Sequence, residues 1–419
     1  MISRLSGCAA ALLIFSCVNA PGAPSKVTFD ENGVLQIDGR KEFVISFSIP
    51  PPPGGKTPDG KDGWAELKEA GTNFFRIAAR KDEPQGGEAA IRRLQGCLDA
   101  AAQHGMHCWV TMNELPSIKP GDTEKEQKLR AMIARFKDHP GLGAWKGYDE
   151  PAWVKMPHEP LVAAYKIFKE MDPHHPVIII QAPTKASLPL EPYAAAGDVF
   201  GVDIYPVAYP PGRHSDFGNR ELSVVSDCTK WIRAAVPGKP TWMTLQVAWG
   251  GVASTGKRLR FPSFHQQRYM AYAAVINGAR GLNWQGPALP STLNETDAPL
   301  EWNWTYWRKV QKALVEELGV DSRVNPALVI ADSKMPVKVE GADDVEFCVR
   351  EVGDEIFVLA AKREGETAKV KFTGLTIPDG AGAVLFEEPQ KVQVRGGTFE
   401  DWFAPNDVHV YCLKRRGHE

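Results

Sequence analysis

Several signatures that would place this chain of 419 residues in a well-defined functional class are missing. It has no Cys-x-x-Cys pair, no His-x-His or His-Glu-x-x-His motif, and no glycine-rich phosphate-binding sequence after its first predicted strand. Its 49 Lys and Arg nearly balance its 51 Asp and Glu, so no charge excess would attract nucleic acid or an anionic membrane. These absences argue against a metal-dependent hydrolase and a nucleic-acid-binding protein, and no cofactor is expected.

Long apolar runs are also scarce. Beyond residue 20, no stretch reaches the roughly 18 apolar residues of a membrane-spanning helix. At the N-terminus, Arg4 precedes an apolar stretch over residues 7–18, and Val18-Asn19-Ala20 resembles a cleavage site. This pattern predicts a signal peptide over residues 1–20 and a secreted or periplasmic protein. The run ending at Cys17 also resembles a lipobox, so a lipoprotein anchored through Cys17 is the alternative.

Cysteines are few after the predicted signal peptide. The five that remain are scattered and show no metal-binding spacing: Cys97, Cys108, Cys228, Cys348 and Cys412. Such a set is typical of small hydrophobic residues in a core. An oxidising compartment would permit a disulfide between Cys348 and Cys412.

The dominant pattern is a rhythm of short β-branched or aromatic runs alternating with helical stretches. Turn pairs first predict a β-hairpin over residues 27–42, and eight strand–helix units follow over residues 43–320. Consecutive parallel strands need helical crossovers, so eight units predict a (β/α)8 TIM barrel. A doubly wound sheet is the structural alternative. The predicted strands are Phe43–Ile49, Asn73–Ala78, Met106–Met112, Gly143–Tyr148, Val177–Gln181, Val199–Tyr205, Thr241–Val247 and Gly281–Trp284.

The pattern changes after residue 325. Short runs with alternating apolar residues, separated by turn signals, predict a C-terminal all-β sandwich over residues 325–415. Nothing in these runs indicates a ligand, so the sandwich is predicted to be a packing module.

In a (β/α)8 barrel the functional residues lie at the C-terminal ends of the strands. Polar side chains stand at or near the ends of seven of the predicted strands, namely Arg76, Glu114, Asp149, Glu150, Gln181, Asp203, Tyr205, Gln246 and Asn283. Aromatic rings, on which the apolar face of a sugar stacks, are the second group: Trp153, Trp249, Trp284, Trp302, Trp304, Tyr306 and Trp307. Placed polar groups among aromatic ones fit a small-molecule site.

This order of motifs resembles the clan A glycoside hydrolases, which are retaining (β/α)8 enzymes. The matching features are the opening Asp38-Gly39-Arg40-Lys41, Arg76 on strand 2, Glu150-Pro151 after strand 4, Tyr205-Pro206 after strand 6, Trp284 on strand 8, and the stretch 268–282. The resemblance implies a carbohydrate substrate and makes Glu150 the general acid/base. A carboxyl with a raised pKa suits that role, because it stays protonated near neutrality.

Two positions depart from the family pattern. Asp149 stands where these enzymes usually have Asn, and Gln246 stands where strand 7 usually supplies the nucleophilic Glu. A neutral amide cannot form the usual glycosyl-ester intermediate, so another explanation is needed.

Three explanations are open. First, another carboxylate serves as nucleophile or base, with Asp203 leading and Glu114 second. Second, the substrate supplies the nucleophile, since adjacent Asp149-Glu150 also resembles hexosaminidases that use a substrate 2-acetamido group. Third, the protein is a carbohydrate-binding pseudoenzyme.

The expected function is thus exported hydrolysis of O-glycosidic bonds in a poly- or oligosaccharide. Glu150 is the expected proton donor, with Asp203 as second carboxylate and Asp149 as the residue that tunes Glu150 or positions substrate. The substrate-binding residues are expected to be Arg76, Glu114, Tyr205, Gln246, Trp249 and Trp284. The sequence predicts neither the sugar nor the oligomeric state.

Overall fold

The computed structural model describes residues 23–79, 87–184, 189–208, 215–248, 259–386 and 390–415. The predicted signal peptide over residues 1–20, with Cys17, lies outside these ranges. Within them, no helix combines the length and apolar character needed to cross a bilayer.

Three short antiparallel strands precede the barrel: β1 (Val27–Phe29), β2 (Leu35–Ile37) and β3 (Arg40–Glu42). They lie where the hairpin over residues 27–42 is predicted. Leu35 and Ile37 pack against Phe74 and Trp109, which point into the barrel from the next strands. The small sheet therefore covers the N-terminal end of the barrel, opposite the end where the strands terminate.

Eight parallel strands form the barrel sheet, in the spatial order β10-β11-β4-β5-β6-β7-β8-β9. Isolated bridges between Phe200 and Thr241 and between Asp203 and Thr244 join the two outer strands and close the ring. The predicted (β/α)8 barrel is confirmed. Its strands are β4 (Val44–Ser48), β5 (Phe74–Ala78), β6 (His107–Thr111), β7 (Leu142–Asp149), β8 (Val177–Gln181), β9 (Val199–Val202), β10 (Trp242–Gln246) and β11 (Gly281–Gln285).

Helices connect the strands on the outside. Their starts follow ordinary capping chemistry: the Asp62 side chain accepts hydrogen bonds from two N–H groups of the first helix, and Ser263 and Gln266 form a capping box on the sixth. The helices are α1 (Gly63–Ala70), α2 (Glu88–Gln103), α3 (Thr123–Phe136), α4 (His158–Met171), α5 (Val224–Ala235), α6 (Phe264–Ile276), α7 (Trp304–Tyr306), α8 (Lys312–Leu318) and α9 (Asn325–Leu328). A 3-10 helix at Glu191–Ala196 makes the fifth crossover, and a π-helical turn at Trp307–Gln311 joins α7 to α8.

The barrel interior changes character along its axis. Near the N-terminal end it is filled by apolar side chains such as Phe74, Trp109 and Trp242. Higher up, Ser46 donates a hydrogen bond to Asn283 at 3.0 Å and accepts one from the Trp109 indole at 3.1 Å. The interior therefore becomes polar toward the strand ends.

The C-terminal region is all β, as predicted. Three strands form one antiparallel sheet in the order β12-β15-β18, and five form a second in the order β13-β14-β19-β16-β17. Aromatic residues between the sheets make its core; Phe372 and Phe399, for example, stack with ring centroids 4.7 Å apart. The strands are β12 (Lys338–Glu340), β13 (Val345–Val352), β14 (Glu355–Lys362), β15 (Ala368–Thr373), β16 (Gly380–Leu385), β17 (Lys391–Val394), β18 (Phe399–Phe403) and β19 (Val408–Lys414). The domain boundaries at residues 320 and 325 stay predictions.

The β region packs on the barrel through α5 and α6. Arg268 on α6 donates to the Val408 carbonyl of β19 at 2.6 Å, and Arg363 of the β region pairs with Asp227 on α5 at 3.0 Å. The Arg268 charge is balanced within the barrel by Glu317 on α8, at 2.9 Å. The Arg268 and Glu317 side chains are nearly buried, so breaking their pair would leave an uncompensated charge. The two regions are therefore joined by specific, directional contacts.

Of the two cysteine predictions, burial is confirmed and the disulfide is not. Cys97, Cys108, Cys228, Cys348 and Cys412 are all buried free thiols, as expected of small core residues. The disulfide permitted between Cys348 and Cys412 is absent in the described structure, because Cys348 on β13 and Cys412 on β19 lie on opposite sides of the intervening strand β14. A disulfide needs Cα atoms within about 7 Å, which is less than the span of two strand spacings.

Candidate active site

A β-bulge at the end of β7 shapes the site. Lys146 pairs with Ile178 on β8, but Asp149 pairs with Ile180, so three steps along β7 match two along β8. Directly after the bulge, the Glu150 N–H donates to the Ile180 carbonyl at 2.9 Å, and Glu150 has a φ of 45°, which is unusual for a residue other than glycine. Bulges beside functional sites redirect side chains, and strained backbone concentrates at such sites.

Glu150 and Asp203 are joined by a hydrogen bond between their side chains, and Tyr205 donates a second one to Asp203. Asp203 is only 8% exposed at the bridge between β9 and β10. Burial, aided by the nearby Asp149 charge, raises the pKa of Asp203 to about 6. A hydrogen bond between two carboxyls needs a proton on one of them, because an ionised carboxylate has no donor. The strand-4 and strand-6 carboxyls predicted from sequence therefore form an acid pair.

Asp149 is the fixed charge of the site. It accepts hydrogen bonds from Arg76 at 2.9 Å and from Lys146 at 3.0 Å, and its side chain is 48% exposed. Partial desolvation of the carboxyl would raise the pKa of Asp149, but the positive charges of Arg76 and Lys146 hold this pKa well below its usual range. An ionised carboxylate thus stands beside a pair that shares a proton, and such divergence is typical of acid–base sites.

Arg76 is positioned by the strand next to it. Its Nε donates to the Thr111 hydroxyl at 3.4 Å, and its guanidinium lies over the Trp109 ring, 5.8 Å from the centroid. Burial would lower the pKa of Arg76, but the neighbouring Asp149 carboxylate raises it above its usual value. The guanidinium therefore presents a permanent positive charge to the rim.

Lys146 is the site residue that the sequence analysis missed. Its side chain is fully buried, and its ammonium donates to the Tyr148 carbonyl at 3.0 Å as well as to Asp149. Burial lowers the pKa of Lys146, although the Asp149 charge opposes that shift. A lone lysine inside an otherwise apolar predicted strand was the available signal, since lysine is almost never fully buried without a partner.

Gln246 holds two loops. It is fully buried; its Oε1 accepts from the Val207 N–H at 2.9 Å, and its Nε2 donates to the Val207 carbonyl at 2.6 Å and the Arg260 carbonyl at 3.1 Å. The amide therefore ties the loop after β9 to the loop after β10. As a sugar contact Gln246 stays a prediction.

The predicted aromatic residues separate by burial. Trp284 is fully buried, stacks on Phe47 with centroids 5.4 Å apart, and donates to Gln267 at 3.0 Å. Its sugar-binding role stays a prediction, and in this structure it packs the layer between β11 and the helices. Trp249 lies outside the described residues. The remaining cluster is buried in the same layer: Trp302, Trp304, Tyr306 and Trp307.

Trp153 differs from that cluster. Three residues after Glu150, its ring is 59% exposed in the turn that follows β7. An indole so exposed at the rim is available for stacking against a ligand.

Glu114 differs from Asp203 in its exposure. It is exposed, in a turn after β6, and its charge contributes with burial to the raised pKa of Tyr148. Its predicted role as substrate contact or second carboxylate stays a prediction. Across the described ranges, no group of three or more His, Cys, Asp or Glu is arranged to hold a metal ion.

A cleft of about 570 Å³ opens on the same barrel face, between the starts of α3 and α4. Lys119, Glu126, Pro157 and Pro160 are among its lining residues, whereas the carboxyls of residues 149, 150 and 203 are not. The acid pair is therefore separate from this cleft.

Comparisons with known proteins show similarity in fold and not in sequence. No protein-family model matches the sequence, and no curated protein matches it either. A solved structure described as a glycoside hydrolase is similar, with a TM-score of 0.62 and 12% identity over 94% of this chain and 98% of that chain. A glycoside hydrolase of family 5 from Bacteroides vulgatus has a TM-score of 0.60 and 13% identity over 93% of this chain and 94% of its own.

An α-amylase from Geobacillus thermoleovorans, solved with acarbose, has a TM-score of 0.54 and 12% identity over 89% of this chain and 99% of its own. At such identities the likeness concerns the fold, a (β/α)8 barrel followed by a β region.

Proposed function

We propose that this protein is an exported glycoside hydrolase that cleaves an O-glycosidic bond of a poly- or oligosaccharide, with Glu150 as general acid/base. The observation that carries the proposal is the hydrogen bond between the Glu150 and Asp203 side chains beside Asp149, at the C-terminal end of a barrel. The similar folds of solved glycoside hydrolases agree with it. Export rests on the predicted signal peptide.

The proposed reaction begins with proton transfer. Glu150 gives its proton to the glycosidic oxygen, the bond from C1 to that oxygen breaks, and the aglycone leaves as an alcohol. Asp203, as the carboxylate, forms a bond to C1 and completes a glycosyl ester. Water then attacks C1, its proton passes to Glu150, and Asp203 is released as the carboxylate.

The contact between Glu150 and Asp203 favours retention over inversion. Inverting carboxyls stand about 6.5–9.5 Å apart so that a water fits between them, whereas retaining ones stand about 5–5.5 Å apart. A hydrogen-bonded pair leaves no room for that water. Substrate therefore has to widen the pair to reach the retaining separation.

A second route is supported by Asp149. An ionised carboxylate that is half-exposed and directly precedes the proton donor could orient a substrate 2-acetamido group, which would then attack C1 itself. In that route Asp203 would tune Glu150 without bonding to the sugar.

A protein that only binds sugar is less well supported. An isolated Glu150 beside Gln246 and apolar neighbours would favour it, but Glu150 has Asp203 as a direct partner and Asp149 adjacent. Gln246, the reason for considering this alternative, is occupied by backbone groups of two loops.

The deciding experiment compares the protein without residues 1–20 with its Glu150→Gln variant on a broad panel of polysaccharides and aryl glycosides. Glu159→Gln, a nearby carboxylate on α4, is the matched control. Loss of hydrolysis in Glu150→Gln alone, with activity on aryl glycosides of good leaving groups partly retained, would establish Glu150 as the acid. Absence of hydrolysis on every substrate by the unaltered protein would overturn the proposal.

Two further measurements separate the routes. Proton NMR of the first-formed anomer distinguishes retention from inversion. A matched pair of substrates with 2-acetamido and 2-hydroxyl groups then tests substrate assistance, because only that route requires the acetamido group. A 2-fluoro glycoside that labels the peptide containing Asp203 would support the glycosyl ester.

A further inference from the structure

We infer that Lys146 is the positioning residue of this site: its ammonium fixes the β7 bulge and Asp149, and so sets the direction in which Glu150 leaves the strand. The inference deepens the proposed function and rests on it for its effect on catalysis. Its structural part can be tested separately.

The Lys146 ammonium directs its donors at the bulge. It lies 3.4 Å from the Gly147 carbonyl, 3.0 Å from the Tyr148 carbonyl and 3.0 Å from Asp149 Oδ1. Gly147 and Tyr148 are the residues by which β7 departs from the register of β8. A bulge disturbs the ladder locally, and buried backbone carbonyls need other donors. One side chain therefore serves three consecutive residues of the bulge.

Burying an ammonium at this position costs free energy. A lysine buried without charge partners would be strongly destabilising, and an apolar residue would pack in this strand with a smaller desolvation penalty. Lys146 is fully buried, so its ammonium does not reach the rim surface. An ammonium has three donors, and all three are directed at this bulge, so the role is to hold neighbouring atoms rather than to react with substrate.

The backbone after the bulge depends on the bulge for its shape. Glu150 comes directly after Asp149 and has the left-handed φ of 45°, with its N–H on the Ile180 carbonyl at 2.9 Å. If the carbonyls of residues 147 and 148 lost their donor, the bulge could relax and Glu150 could adopt an ordinary φ. The side chain would then leave Asp203.

The charge environment gives a distinct readout. The charged groups that act on Lys146 are Asp149 and Glu150 of its own segment and Arg76 of β5. Removing the ammonium removes one of the two cations beside Asp149, so the pKa of Asp149 should rise. Titration of the Asp149 carboxyl, followed by carbon-13 NMR, should move upward accordingly.

The test uses Lys146→Met, which removes every donor, and Lys146→Gln, which keeps donors without charge. Lys362→Met is the matched control, because Lys362 in β14 is equally buried and pairs with Asp344. Hydrogen exchange of the peptide spanning residues 146–156 reports on the bulge whether or not the protein is active. It should accelerate roughly tenfold in Lys146→Met and stay unchanged in Lys362→Met.

For catalysis, kcat should fall about 100-fold in Lys146→Met with little change in KM, because misplacement of a catalytic group by about 1 Å has an effect of this size. Lys146→Gln should recover part of kcat but keep the raised pKa of Asp149. Unchanged exchange in residues 146–156 would overturn the inference. So would a kcat loss no larger than in Lys362→Met. Absence of hydrolysis in the unaltered protein with accelerated exchange in Lys146→Met would instead overturn the proposed function and leave the structural role of Lys146 supported.

Discussion

The Gln246 side chain and the Val207 backbone form a reciprocal pair of hydrogen bonds: the Val207 N–H donates to Oε1 at 2.9 Å, and Nε2 donates to the Val207 carbonyl at 2.6 Å. The residue at the expected position of a nucleophile is thus used to fasten a loop. Under the proposed reaction the second carboxylate comes from elsewhere, and Asp203 is the one in contact with Glu150.

Replacing Gln246 with Glu should destabilise the protein instead of creating a nucleophile. A carboxylate would face the carbonyls of Val207 and Arg260, which now accept from Nε2. Two buried acceptors would lose their donor, at a cost of about 1–3 kcal/mol each. Urea unfolding measures the loss, and Gln393→Glu, exposed on β17, is the control that should leave stability nearly unchanged. Equal stability of the two variants would contradict this expectation.

Replacing Lys155 with Gly should stabilise the protein. Lys155 is exposed and has a φ of 54°, and its N–H donates to the Ala152 carbonyl at 3.2 Å. A left-handed conformation costs a residue with a β-carbon about 1–2 kcal/mol, which exceeds the entropic penalty of glycine. The thermal unfolding temperature should rise for Lys155→Gly and fall for Val320→Gly, an exposed residue without positive φ. A fall in both variants would show that Lys155 is not strained.

Asp203 should make stability depend on pH. Its folded pKa, raised from 3.8 to about 6, means that the folded state prefers the protonated form. This stabilising contribution is complete below about pH 4 and disappears as the pH rises through 6. Two pKa units correspond to about 2–3 kcal/mol.

The measurement is the free energy of unfolding of Asp203→Asn and of the unaltered protein between pH 4 and pH 7. As the pH rises, the free energy of unfolding of Asp203→Asn should increase relative to that of the unaltered protein. Parallel curves over this range would mean that Asp203 is not the titrating group.

Trp153→Ala should weaken substrate binding without affecting the fold. The ring is 59% exposed beside Glu150, and an aromatic contact of about 1 kcal/mol corresponds to a fivefold to tenfold rise in KM. Trp402 on β18 has the same 59% exposure, so Trp402→Ala is a matched control. Steady-state kinetics on an oligosaccharide decides, and equal KM values for both variants would remove Trp153 from the binding surface.

Much of the fold could be predicted because its signal is local and repeated. Each barrel strand carries a short apolar run of its own, and Val177–Gln181 is predicted with both ends correct. The fifth crossover is predicted as helical but is a 3-10 turn, since Glu191–Ala196 is too short to show a helical period. Strand β18, Phe399–Phe403, escapes prediction because Glu400, Asp401 and Trp402 interrupt the apolar pattern.

The site was predictable only in part. Motif order pointed to Glu150, and Asp203 and Asp149 were candidates from their places at strand ends. Residue spacing does not reveal that two carboxyls touch while the third pairs with Arg76 and Lys146. Trp284 shows the opposite problem. Alternation along a strand distinguishes two faces, yet it does not say which face looks into the barrel, and Trp284 lies with Phe47 toward the helices.

The joint between β9 and β10 has a consequence for how the molecule moves. Seven neighbouring strand pairs form ladders of three or more residue pairs, while this eighth is held by two isolated bridges, one of them at Asp203. The pairing of β9 with β10 is thus the weakest in the barrel, and Asp203 is part of it. A small separation of these two strands would move Asp203 away from Glu150 while the other strand pairs stay hydrogen-bonded. The distance between the two carboxyls can therefore change without unfolding of the barrel.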